Sequence, residues 1–259
     1  MIYFLYKNYT KKVVDNVESK QMRFFLIFLI WYTIGFILQV FFSVPEFLSF
    51  SKPVFLVLYA CCLAELIWLQ ENSKQRFVIS LLVVALSTYA VEVISVKTGF
   101  PFGSYHYSAA LGPLLIGVPF TIALAWVGVL LNSLGISTQK GKFVRALETG
   151  IWIVVLDLIL DPVAVSLNFW TWHEPGNFAY FDIPLSNFVT WFVLGALLSY
   201  LFPLYQKDKR RQRRITFIFQ LMLLLFGMLA FRVGLTLIGF FSICFVILVE
   251  GRYRYDYRK

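Results

Sequence analysis

Apolar residues run through this chain in long blocks, separated by short polar or basic stretches. A bilayer core of about 30 Å takes roughly 20 apolar residues as a helix. Eight runs approach that length: 24–42, 53–70, 77–97, 117–133, 144–163, 184–204, 215–231 and 233–249. Only Arg232 and Gly234 punctuate the last stretch, so 215–249 reads either as a tight helical hairpin or as a helix followed by a re-entrant piece. In hydrocarbon every backbone polar group must be satisfied within its own segment or in a closed barrel, and short alternating strands are not seen. The pattern predicts an all-α polytopic membrane helix bundle of about eight transmembrane helices, forming one domain over 1–259.

Composition agrees: 59% of residues are hydrophobic, 14% are charged and the mean hydropathy is +0.75, far from the balance of a soluble domain. The 23 Lys and Arg residues segregate between alternate loops. Twenty fall on one side: Lys7, Lys11, Lys12, Lys20 and Arg23, then Lys74 and Arg76, then Lys140, Lys142 and Arg145, then the run from Lys207 to Arg214, then the C-terminus. Lys52, Lys97 and Arg232 fall on the other. Positive flanks stay cytoplasmic, so both ends are expected there, in a multi-pass protein of the cell membrane. The net charge of +9 sits at helix ends, where anionic lipid headgroups explain it and nucleic acid does not. The N-terminal run is too long for a secretory signal and no A-x-A site follows it, so it is expected to be a retained helix. Cys61, Cys62 and Cys244 fall inside expected spans and read as packing residues,.

Four acids lie inside apolar runs, where a charge costs ~2.5–3.5 kcal/mol on insertion scales. The helix directions put Glu92, Asp157 and Asp161 in the outer third of the bundle, with the two aspartates four residues apart on one face,. Glu65 lies nearer the inner half and stands apart. One such acid alone is best read as interhelical glue; three at one depth point to a site. The two outer loops are aromatic rather than hydrophilic. Loop 3–4 carries Gly99-Phe100-Pro101-Phe102-Gly103-Ser104-Tyr105-His106-Tyr107, and loop 5–6 carries Asn168-Phe169-Trp170-Thr171-Trp172-His173. Both are expected to fold back as caps. Each histidine precedes a Val-Pro or Ile-Pro helix start, at Pro119 and Pro184, which hints at an internal repeat of helices 3–4 and 5–6,. The sequence holds no Walker loop, dinucleotide fingerprint, nucleophile elbow or redox Cys pair, so no cofactor and no metal site is expected. A carboxyl group under an apolar lid can keep its proton at neutral pH, and aromatic faces stabilise a cation. That combination suits carbocation chemistry on a lipophilic alkene.

The stretch from Glu92 to Tyr107, Leu111-Gly112-Pro113, Gly117-Val118-Pro119, Asp161-Pro162-Val163-Ala164, Trp170-Thr171-Trp172, and Pro184-Leu185-Ser186-Asn187 with Trp191 resemble the membrane-integral carotenoid biosynthesis family. The matching motifs span about 90–192, the family-like catalytic part; the first two and last two helices are similar only in hydropathy. Tyr180-Phe181-Asp182-Ile183 and His106 depart from the family pattern and bear on the choice of substrate. The resemblance implies a cofactor-independent carotenoid 1,2-hydratase, of the kind acting on γ-carotene or bisanhydrobacterioruberin. Such an enzyme adds water across the C1=C2 bond of an acyclic ψ-end group to leave a tertiary hydroxyl. Asp161 is the expected acid, with Asp157 and Glu92 positioning water or holding the proton network. Phe102, Tyr105, His106, Tyr107, Trp170, Trp172, His173, Asn187 and Trp191 are the candidate substrate contacts. Expected partners are an acyclic carotenoid in the bilayer, anionic lipids and other enzymes of the pathway. Other readings are a polyene end-group cyclase or isomerase, a proton-coupled transporter of a lipophile, and a scaffold whose acids are structural.

Overall fold

The computed structural model describes residues 22–42, 44–173, 178–205 and 208–258. Lys7, Lys11, Lys12, Lys20, Lys207 and Lys259, counted above as basic flanks, lie outside the described residues. Eight α-helices occur among the described residues: α1 (Arg23–Phe41), α2 (Ser51–Trp68), α3 (Lys74–Thr98), α4 (Thr121–Ile136), α5 (Lys142–Ser166), α6 (Leu185–Ser199), α7 (Lys209–Arg232) and α8 (Thr236–Asp256). By length and composition α1, α2 together with the turn that precedes it from Glu46, α3, α7 and α8 suffice to cross a membrane, whereas α4 and α6 are apolar but shorter. Their exposed faces are apolar: Ile30, Ile34 and Ile37 on α1, Ile79, Leu82 and Leu86 on α3, Phe240, Ile247 and Leu248 on α8. In water such faces would aggregate; in lipid they are solvated. The protein is an all-α membrane bundle.

Element ends depart from the hydropathy spans for local reasons. The run 184–204 ends as helix at Ser199 because the buried Arg145 guanidinium donates to the carbonyls of Ser199 (2.8 Å) and Phe202 (2.9 Å), closing the helix C-terminus. Arg145 is thus a buried cap rather than a free loop charge. The run 117–133 starts four residues late, since Val118 and Pro119 are held extended against Leu114 and Leu115. Helices α7 and α8 form the hairpin alternative at 215–249, turning at Gly234, and both extend past their apolar runs. Arg, Lys and Glu are good helix formers, and there Glu250 receives Arg213 and Arg254 while Arg252 joins Glu148 and Asp256. These pairs bring the start of α5 and the free ends of the hairpin to one end of the bundle. Cys61 and Cys62 lie in α2, whereas Cys244 is exposed on α8 rather than packed. Glu65 accepts from the backbone N–H groups of Phe24 (3.2 Å) and Phe25 (3.0 Å), so it caps the start of α1.

The opposite end carries three two-stranded ladders. The segment β1 (Tyr105–Tyr107) pairs with β4 (Trp170–Trp172), β2 (Leu114–Leu115) with β3 (Val118–Pro119), and β5 (Ala179–Tyr180) with β6 (Ile183–Pro184), all antiparallel. The turns at Ile116-Gly117 and Phe181-Asp182 have positive φ at both central residues, as two-residue hairpins require. A helix, an aromatic strand, a tight hairpin ending in proline and a second helix therefore occur twice in that order: α3 to α4 and α5 to α6. The repeat hinted at by the spacing of histidines and prolines is present as a repeated order of elements.

Candidate active site

The chemistry-bearing residues reach one level because the helices bring them there. Glu92 stands six residues before the end of α3 and Asp161 five before the end of α5, while Trp126 and Asn187 lie within the first two turns of α4 and α6. Helix α5 continues through Pro162 to Ser166, so Asp161 sits inside a helix rather than at its end. A proline cannot donate to the carbonyl four residues earlier; that carbonyl, of Leu158, accepts instead from the Tyr180 hydroxyl at 3.3 Å. Asn168, left-handed at φ 54°, then ends the helix: its N–H bonds to Val165 O and the Phe169 N–H to Ala164 O, both at 2.9 Å. This is the geometry that turns the chain back over the site.

The cap is built from the Gly-Phe-Pro-Phe-Gly motif and the β1–β4 ladder. Gly99 closes α3 with φ 76°. Phe100 then points outward at 74% exposure, while Phe102 is buried at 1%, held by a bond from its N–H to Ser95 Oγ at 3.1 Å. Gly103 has φ 131°, and a Cβ there would come within 2.9 Å of Pro184 and 3.0 Å of Trp172. Only glycine combines that dihedral with that contact. Alternation along β1 turns Tyr105 and Tyr107 inward and His106 outward. Tyr105 lies opposite Trp172 and Tyr107 opposite Trp170, with ring centroids 4.7 and 5.7 Å apart.

Beneath this cap lies a cavity of about 80 Å³, lined by Glu92, Asp157, Asp161, Asn187 and an aromatic wall, with Leu56 and Phe226 also in its lining. Glu92 accepts from three groups: Trp126 Nε1 at 2.8 Å, the Tyr107 hydroxyl at 2.9 Å and the Tyr105 hydroxyl. Burial, and after it the nearby Glu92 carboxylate, push both phenols well above their usual range, so they remain donors. Asp161 accepts from Trp170 Nε1 at 2.6 Å and from Asn187 Nδ2 at 2.7 Å. Asp157 accepts from Asn187 Nδ2 at 3.1 Å and from no other described residue. The Asn187 carbonyl accepts from Trp191 Nε1 at 3.1 Å, which fixes which way the amide points,. Trp191 in turn stacks on Trp126 with centroids 3.6 Å apart.

Ten of the twelve residues singled out in the sequence line this cavity. The two that do not are His106 and His173. They are exposed on the outer face of the ladder, where His106 Nδ1 and His173 Nε2 lie 2.9 Å apart, so they clasp the two loops and do not reach the space beside the acids. Asn187, expected as a substrate contact, holds the two aspartates. Trp126 was missed: it is one tryptophan in an apolar run, indistinguishable there from packing, and only the fold brings its N–H to Glu92. Among the described residues no three His, Cys, Asp or Glu side chains converge as a metal ion would require.

Fold and site together define a polytopic helical membrane protein with three carboxyl groups in an apolar, aromatic cavity under a two-loop cap. The chain belongs to the carotenoid biosynthesis protein family, which it matches over residues 51–250. That match takes in α2, α7 and most of α8, well beyond the 90–192 stretch whose motifs first pointed to the family. Over 136 residues the chain is 32% identical to the bisanhydrobacterioruberin hydratase of Haloarcula japonica. The alignment covers 49% of this chain and 45% of that relative, so the two share somewhat less than half of their lengths. No solved structure matches the chain.

Proposed function

We propose that this protein hydrates a carotenoid, adding water across the C1=C2 bond of an acyclic ψ-end group to form a tertiary alcohol. The observation that carries this reading is the Asp157–Asn187–Asp161 clamp facing an apolar cavity lined by aromatic side chains. The similarity to a hydratase supports it. A proton passes from the clamp to C2, the π bond supplies the electron pair for the new C–H bond, and a tertiary cation forms at C1. The aromatic walls hold that cation, and a water oxygen bonds to C1 and gives up a proton to a carboxylate.

We propose a division of roles other than the expectation that Asp161 is the acid, and the hydrogen bonds support it. Asp161 is held by two donors and is fitted to accept, whereas Asp157, with one, is free to present its O–H to the alkene. Glu92, facing three donors, is fitted to remain a carboxylate that stabilises the cation. We infer further that all eight helices cross the cell membrane with both chain ends cytoplasmic, since the basic residues gather at the end opposite the cap. The basic end would meet anionic lipids, and other enzymes of the pathway would deliver or take up the carotenoid.

The test is conversion by purified protein in detergent with an acyclic ψ-end carotenoid. The expected product is heavier by one water, carries its hydroxyl oxygen from labelled water, and forms without oxygen, flavin or nicotinamide. A product of unchanged mass with fewer double bonds would replace this reading by cyclisation. Movement of carotenoid or protons without chemical change would replace it by transport.

A further inference from the structure

Seven side chains lining the cavity carry an N–H or O–H donor: Tyr105, Tyr107, Trp126, Trp170, Trp172, Asn187 and Trp191. Six of them have an acceptor: Glu92 takes three, the aspartates take Trp170 and Asn187, and the Asn187 carbonyl takes Trp191. The seventh does not. Trp172 Nε1 is buried and has no hydrogen-bond partner among the described residues. Buried N–H groups are nearly always paired in proteins, and every other donor of this cavity obeys that rule. The ring cannot readily turn to find a partner. Tyr105 packs on it at 4.7 Å, and Gly103 leaves room for only a hydrogen beside it. Trp172 and Asp161 both line the cavity, yet no hydrogen bond of good geometry joins them. A small group that accepts from an indole N–H and donates to a carboxylate would pair with both, and water is the smallest that does so.

We propose that Trp172 Nε1 and Asp161 form the seat of the water consumed in the reaction, so that Trp172 is a catalytic residue acting through its N–H and not only part of the aromatic wall. This rests on the hydratase reading above and deepens it. The indole N–H binds the water oxygen and Asp161 accepts one of its hydrogens, leaving a lone pair for the cation at C1. As the C1–O bond forms, the O–H bond that points at Asp161 breaks and its proton passes to that carboxylate, while the other O–H bond remains in the product hydroxyl. That proton returns to Asp157 within the Asn187-bridged pair, and the site is restored with one water added to the alkene. Asp161 keeps accepting from Trp170 and Asn187 throughout, since each carboxylate oxygen has a further lone pair.

The proposal separates two events that a purely structural role would not separate. In heavy water, a protonation that reverses leaves deuterium in recovered alkene, whereas capture gives alcohol. Purified wild-type, W172F and W172H proteins would be compared for both products from the same acyclic carotenoid. W172F keeps an aromatic ring and removes the donor; it is expected to slow alcohol formation about tenfold, the worth of one hydrogen bond in the transition state, while deuterium in the recovered alkene holds or rises. W172H keeps a ring N–H and is expected to retain a deuterium-to-alcohol ratio near wild type, which decides the matter should W172F fail to fold. Equal loss of both products in W172F, wild-type alcohol formation in W172F, or a ratio in W172H as high as in W172F would each overturn the water seat while leaving hydration in place. A wild-type protein that forms no alcohol would overturn the hydratase reading itself.

Discussion

Asn187 has two amide hydrogens and one carbonyl, and all three are committed: the hydrogens to Asp157 and Asp161, the carbonyl to Trp191. Replacing it with Asp would set three acids together with no donor between them, and replacing it with Leu would leave two buried carboxyls without their shared partner. Asn187→Leu is therefore expected to lose conversion as completely as an aspartate variant while inserting into the membrane, as measured by pigment analysis alongside membrane fractionation. Asp157→Asn and Asp161→Asn are each expected to lower conversion about 10²–10⁴-fold, the span that a positioned acid or base contributes. Glu65→Gln is expected to leave conversion near wild type, because Glu65 caps α1 and lies outside the cavity. Full conversion in both aspartate variants would remove the site from this cavity.

At the level of elements, the cap is held by contacts that differ in what their loss should do. The His106–His173 contact is exposed and joins the two loops from outside, so His106→Ala is expected to cost less than about 1 kcal/mol and to change conversion by no more than a few-fold. Gly103→Ala forces a side chain against Pro184 and Trp172 at a positive φ, and is expected to displace the ladder and lower both conversion and thermal stability. Following tryptophan fluorescence through a melt in detergent would distinguish the two. If His106→Ala abolished conversion in a normally melting protein, the histidines would have to reach the substrate after all. Tyr180→Phe strips the Leu158 carbonyl of its hydroxyl donor beside Pro162 and is expected to loosen the turn of α5 that presents Asp157 and Asp161.

For the whole molecule, the basic residues and ion pairs at one end and the aromatic ladders at the other make the bundle polar along the membrane normal. Single cysteines at 106 or 173 should react with an impermeant reagent in intact cells, while those at 140 or 210 should react only after lysis, in a background without the native cysteines. The reverse labelling would invert the topology. Helices α4 and α6, about 24 and 22 Å long, are shorter than the roughly 30 Å hydrocarbon core. In the proposed topology the folded loops above them would supply the missing depth. Their ladders satisfy the local backbone, as irregular chain at that depth requires.

Much of this was legible without coordinates, because hydropathy and charge act locally. A helix in lipid is apolar along its length and tends to be basic at its inner flank, so the eight runs and the depth shared by Glu92, Asp157 and Asp161 are expected from the residue order alone, whereas the choice at 215–249 between a hairpin and a re-entrant piece waited for the fold. The spacing of aspartates four apart sets their common face before any packing is known. What the order of residues could not decide is what each side chain meets. The inward turn of Tyr105 and Tyr107 and the outward turn of His106 depend on the pairing of β1 with β4, two strands far apart in the chain. Trp126 becomes a partner of Glu92, Arg145 a cap and Glu65 a capping group only through contacts between distant helices. A local signal records what a residue can offer; the acceptor that answers it, or for Trp172 the lack of one, is a property of the folded chain.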